Sequence, residues 1–71
     1  MNFSEALELL KKDEILTRSG WNGKKLSVAI LGNHEMSNGK YIAFFYDGHL
    51  TCPWTPSQSD LLANDWDLIS P

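Results

Sequence analysis

Asp47-Gly48 sits between two runs of strand-forming residues, and this arrangement restricts the chain more than any other feature it carries. Tyr41 to Tyr46 precedes the pair and His49 to Cys52 follows it directly. An Asp-Gly pair accepts the positive φ angles of a two-residue hairpin turn, so the two runs are expected to return antiparallel. Leu26 to Leu31, read Leu-Ser-Val-Ala-Ile-Leu, is nearly alternating and gives a further strand before them. Gly32 to Gly39 between the strands reads as a loop that ends in an Asn-Gly turn signal. The middle of the chain is thereby committed to an antiparallel sheet.

Helical patterns flank the sheet. Phe3, Ala6, Leu7 and Leu10 share one face at helical spacing, which predicts a helix from about Ser4 to Lys12. Ser4 is the expected cap, with Glu5 and Glu8 near the positive end and Lys11 and Lys12 near the negative end. Asp13-Glu14 turns the chain out, Ile15 to Arg18 reads as a short strand, and Ser19-Gly20 breaks it. A second helix is expected after Pro53-Trp54, with Thr55 as N-cap, Pro56 at the first helical position and Gln58 completing a capping box. Asn64 is placed to close it in a left-handed conformation. A last strand runs from about Asp65 to Ile69, and Trp66, followed by Leu68 in its alternation, is expected in the core. The reading is an α+β fold: a small antiparallel sheet packed with two short helices, with residues 1–71 as one domain.

A chain of 71 residues buries only about 60% of its unfolded surface, and its single cysteine, Cys52, offers no disulfide. Three Trp, three Phe and two Tyr are a heavy aromatic load for so small a core, which predicts a homo-oligomer with aromatics at subunit contacts. Six basic against nine acidic side chains, a net charge of −3, provide no basic stripe for a nucleic-acid polymer. No apolar run reaches membrane-span length, and Glu5 and Glu8 interrupt any signal-peptide core, so no membrane partner and a cytoplasmic location are expected. His34, His49 and Cys52 stand at no recognised metal-ligand spacing. Neither histidine has a nucleophile and orienting acid in evident reach, and no Walker A or GxGxxG pattern occurs. Asp60, Asp65 and Asp67 read as caps or solvated faces. The chain is therefore not expected to be an enzyme, and no cofactor is expected.

Two polar-aromatic clusters remain. In Thr17-Arg18-Ser19-Gly20-Trp21-Asn22-Gly23, Arg18 suits either a phosphate or a salt bridge, and Trp21 offers either a stacking face or core packing. In Pro53-Trp54-Thr55-Pro56-Ser57-Gln58-Ser59-Asp60, a helix start with free amides lies beside an indole, a pairing that suits phosphate and base together. Trp54 lies between two prolines, where stacking and burial are both open.

Taken in order, Met1 to Lys11, then Thr17-Arg18-Ser19-Gly20-Trp21-Asn22-Gly23-Lys24, then Pro53-Trp54-x-x-Ser57-Gln58-x-Asp60-Leu61-Leu62-Ala63-x-Asp65-Trp66, the sequence resembles the Thoeris anti-defence two family of small phage and prophage proteins. The resemblance implies a sponge. Such proteins bind cyclic ADP-ribose-type signals made by bacterial TIR-domain immune enzymes, without cleaving them, and some relatives capture cyclic oligonucleotide signals. It also implies a small α+β domain assembled as a homodimer or homotetramer with pockets between subunits, acting in the cytoplasm of the infected host. On the matching positions it implies ligand-binding roles for Arg18, Trp21, Asn22, Trp54, Ser57, Gln58 and Asp60. Indoles would stack the bases. Asn22, Gln58 and Asp60 would bond base edges and ribose hydroxyls, and Arg18 and the helix start near Ser57 would hold a pyrophosphate. The chain departs from the family in the middle, where Gly32 to Gly39 is shorter than the usual proline-containing insertion. The alternative reading is a small phage protein that inhibits a host defence enzyme by docking on it.

Overall fold

The computed structural model describes residues 1–21, 25–32 and 39–69. Among the described residues the order is α1 (Phe3–Leu10), β1 (Leu16–Arg18), a 3-10 turn (Ser19–Trp21), β2 (Leu26–Gly32), β3 (Lys40–Tyr46), β4 (His49–Pro53), α2 (Gln58–Leu62) and β5 (Trp66–Leu68). The strands form one antiparallel sheet in the order β4-β3-β2-β1-β5. The small α+β architecture expected from the sequence is the one observed.

The hairpin forms where the Asp-Gly pair places it. Asp47 and Gly48 have φ of 50° and 80°, the positive pair of a type I′ turn, whose twist matches the flanking strands. β2 and β3 pair continuously from Leu26↔Tyr46 to Gly32↔Lys40. β4 closes one sheet edge, with an irregularity between Phe44 and Phe45. At the other edge β5 pairs with β1, setting Arg18 opposite Trp66.

Both helix starts lie elsewhere than expected. In α1 the cap is Asn2, not Ser4. The Glu5 amide donates to Asn2 Oδ1 at 2.9 Å, and the Asn2 amide donates to Glu5 Oε1 at 3.1 Å. In α2 the cap is Ser57, not Thr55, with Asp60 completing the capping box in the role expected of Gln58. Each choice satisfies two orphan amides at once because a carboxylate stands three residues on. Asn64 does not close α2 in a left-handed turn. Ala63 ends the helix instead, extended at φ −72° and ψ 151°.

The core lies on one sheet face, where α1 covers it with Ala6 and Leu10 against Leu16, Val28 and Trp66. Trp66 is the hub. It is only 2% exposed, and its ring centroid lies 5.4 Å from Phe3, 5.3 Å from Trp21 and 5.7 Å from Trp54. The opposite face carries Ser27↔Phe45, Ala29↔Ala43 and Leu31↔Tyr41, and no described helix packs on it. Among the described residues no helix is long and apolar enough to cross a membrane.

Candidate ligand-binding cleft

Trp21 and Trp54 arrive from distant segments, the first on the 3-10 turn after β1 and the second just after β4. Both indoles meet Trp66 nearly edge-on, at 78° and 82°, and both stay half-buried. A cleft of about 250 Å³ opens between them, lined by Trp21, Phe44, Cys52, Trp54, Thr55 and Asp60. Phe44 meets Trp21 at 89°. It sits opposite Cys52 in the β3–β4 register, so adjacent strands bring both residues to the cleft. The Trp54 amide donates to the Ile42 carbonyl at 2.9 Å, which ties this wall to the sheet.

The polar side of the cleft is a charge network. Asp60 Oδ1 accepts from Arg18 Nη1 at 2.8 Å and from the Trp21 indole Nε1 at 3.3 Å. Asp60 Oδ2 accepts from the Ser57 amide at 3.0 Å, and the Asp60 amide donates to Ser57 Oγ at 3.1 Å. Arg18 Nε turns to Asp65 Oδ1 at 2.8 Å. Asp65 Oδ2 accepts from the Gly20 amide at 2.7 Å. A Cβ on Gly20 would stand 2.8 Å from that oxygen and 3.2 Å from Arg18 Nη2, so any larger residue would push the carboxylate off the Gly20 amide.

The network sets the protonation states. Burial opposes ionisation of Asp60, but the Ser57 amide, the Arg18 guanidinium and the Trp21 N–H outweigh it and hold the carboxyl below its ordinary value. Arg18 holds Asp65 below its ordinary value against a smaller opposing effect of burial, and the Gly20 amide adds to the lowering. In turn Asp65 and Asp60 raise Arg18. At neutral pH the three groups carry one net negative charge and hold one another in place. That suits recognition better than proton transfer.

Of the residues singled out by sequence, Trp21, Trp54 and Asp60 line the cleft together. Arg18 stands behind Asp60, its guanidinium bound to two carboxylates, so the salt bridge is the arrangement observed. Ser57 is exposed and engaged in the α2 cap, and Gln58 is exposed on the first turn of α2, outside the cleft lining. Asn22 lies outside the described residues. Phe44, Cys52 and Thr55 were not singled out as lining. The signal that could have found the first two is the hairpin register fixed by Asp47-Gly48.

A wider hollow of about 550 Å³ involves Ile15, Thr17, Leu26, Ser27 and Ile69, with Lys25 and Asp47 paired at 3.5 Å among its lining residues. Among the described residues its lining holds no aromatic side chain and, from the sequence-derived set, Arg18 alone. The aromatic cleft is therefore the stronger candidate for a flat ligand.

Comparison with known proteins gives a consistent result. The family model for the Thoeris anti-defense 2-like domain matches residues 1–69. A protein of Bacillus phage SP01 named Thoeris anti-defense 2 is 39% identical over 85 aligned residues, covering 99% of this chain and 96% of its own length.

Proposed function

Since the chain belongs to the Thoeris anti-defense 2-like family, whose name marks it as a phage anti-defence group directed against Thoeris, we propose that it sequesters a small nucleotide immune signal of the cyclic ADP-ribose type without cleaving it. One observation carries this reading: two half-buried indoles flank a cleft that also holds an ionised acceptor. Indole faces stack on bases, at about 1–3 kcal/mol per base. Asp60 can accept from a base amino group, because a carboxylate has about four lone-pair sites and three are engaged.

The size of the cleft limits what one protomer holds. Pockets for drug-sized ligands run about 300–1,000 Å³, so 250 Å³ suits one flat base rather than a whole ADP-ribose unit. The riboses and the pyrophosphate need another surface, which a second protomer would supply. The sheet face opposite the helices supports self-association as a dimer or tetramer. Ile15 is 45% exposed there, and Ile69 37%. Light scattering should then give at least twice the 8.0 kDa chain mass.

The same apolar face is what favours the second reading, inhibition of a host defence enzyme by direct docking. One experiment separates the two. The protein is incubated with the product of a Thoeris TIR-domain enzyme, stripped of free ligand, heated and chromatographed. A sponge retains the signal and returns it intact. A docking inhibitor retains none, and an altered product would make this chain an enzyme.

A further inference from the structure

Arg18 and Asp60 carry more contacts to the protein's own segments than a ligand contact alone would require. Asp60 Oδ1 takes both the Arg18 guanidinium and the Trp21 indole N–H, and the Asp60 backbone carbonyl accepts the Trp66 indole Nε1–H at 2.9 Å. Through Arg18 the network reaches Asp65, which holds the Gly20 amide one residue before Trp21. The Ser19 amide donates to the Asp65 carbonyl at 3.1 Å. The turn that presents Trp21 is thus gripped along its backbone by Asp65 and at its indole edge by Asp60. The half-buried ring also lines the cleft.

We propose that Asp60 is a positioning residue that fixes the Trp21 indole as a stacking wall, and that Arg18 ties Asp60 to Asp65 instead of holding the ligand's phosphate. The ligand part of this proposal deepens the nucleotide-binding reading above and rests on it. Two observations favour it. The Arg18 side chain is only 16% exposed, with Nε and Nη1 each 2.8 Å from a carboxylate oxygen. The triad of Arg18, Asp60 and Asp65 is also net negative, so a pyrophosphate brought to it would meet like charge. A neutral, amino-bearing base meets no such penalty. The cleft therefore selects the base end of the signal, and the phosphates lie away from Arg18.

The test has two arms. The first needs no ligand: solvent exchange of the Trp21 indole N–H is measured by NMR, with the Trp54 indole as internal reference. Asp60→Asn should speed Trp21 exchange about tenfold while Trp54 changes little, a fold-change that matches losing a hydrogen bond to a charged group. A role for Asp60 confined to the α2 cap would leave that ratio unchanged and overturn the clamp.

The second arm titrates adenosine and ADP-ribose against wild type, Arg18→Lys, Asp60→Asn, Trp21→Phe and the Asp60→Asn/Trp21→Phe double variant. Arg18→Lys should weaken both probes by a common factor. A loss specific to ADP-ribose would make Arg18 a phosphate ligand. Trp21→Phe keeps a stacking ring without the N–H, so Asp60→Asn should weaken binding less in that background than in wild type, the loss that remains being the direct bond from the base amino group to Asp60. Equal losses in both backgrounds would refute positioning. If Asp60→Asn melts below the working temperature, Trp21→Phe alone decides: it should weaken adenosine several-fold while staying folded, and wild-type affinity would refute the clamp. If wild type binds neither probe, the nucleotide reading and the ligand part of this proposal both fail, while the exchange arm still decides the clamp.

Discussion

Truncating Trp66 should come close to unfolding the protein, whereas truncating Trp21 or Trp54 should not. Trp66 is 2% exposed and packs against Phe3, Trp21 and Trp54 at centroid separations of 5.3–5.7 Å. Removing a core indole costs about 3–5 kcal/mol. Aromatic pairs contribute about 0.5–1.5 kcal/mol each beyond buried area, and three of them are lost here, which pushes the figure to the upper end. Losing the Trp66 indole N–H also removes the shorter of the two bonds to the Asp60 carbonyl and leaves the Ala63 amide at 3.5 Å, which costs about 1 kcal/mol more. A domain of this length has a total stability of about 4–11 kcal/mol, from about 0.05–0.15 kcal/mol per residue. Trp66→Ala therefore removes half of it or more. Half-buried Trp21 and Trp54 should lose about 1.5–2.5 kcal/mol each when cut to alanine, roughly half the core cost. Trp66→Phe keeps much of the packing and should fall between. The assay is urea unfolding followed by circular dichroism, at one fixed protein concentration so that self-association does not shift the midpoint. If Trp66→Ala unfolds within about 1 kcal/mol of wild type, burial by this hub is not what holds the core together.

The remaining predictions concern the charge network and the cleft. Gly20→Ala should lower the melting temperature, because its Cβ displaces Asp65. In an Asp65→Ala background the same change should cost clearly less, since the 2.8 Å clash is gone and only the 3.2 Å approach to the flexible Arg18 Nη2 remains. A loss of equal size in both backgrounds would contradict this. The depressed pKa values of Asp60 and Asp65 mean that the unfolded chain binds protons before the folded one does. Their stabilisation is thus fully present above the ordinary carboxylate range and is lost as pH falls below about 4. The melting-temperature gap between wild type and Asp60→Asn should be flat from pH 5 to 7 and close in more acid buffer; closure between pH 5 and 7 would refute the assignment. Cys52→Ser should keep binding within a few-fold, whereas iodoacetamide on Cys52 should block it, because the adduct enters a cleft of about 250 Å³. Alkylated protein that binds normally would place the ligand elsewhere.

The sheet was legible where local chemistry decides. Strand alternation in Leu26 to Leu31 and the Asp47-Gly48 turn give β2, β3 and β4 and most of their limits. Trp66 reads as core because it alternates with Asp67 in a short strand. The helix starts were less legible, because several small polar residues compete within a few positions. What decides is the residue three places on: Glu5 selects Asn2, and Asp60 selects Ser57. The choice at Asp60 is bound up with Arg18, 42 residues away in sequence. No local pattern marks that pairing, or the docking of β5 beside β1. For the same reason the sequence left Arg18 open between phosphate and salt bridge, whereas Trp21, Trp54 and Asp60, which it singled out, line one cleft. Phe44 and Cys52 join them only through the register of β3 with β4.

The most direct test of sequestration through the aromatic cleft is calorimetric titration of the Thoeris TIR-enzyme product into wild type, Trp21→Ala and Trp54→Ala, each first shown to be folded. The account predicts saturable binding to wild type and a loss of roughly ten- to a hundredfold in each variant, the worth of one stacked base. Variants that fold and bind as wild type does, or a wild type that takes up no ligand, would contradict it.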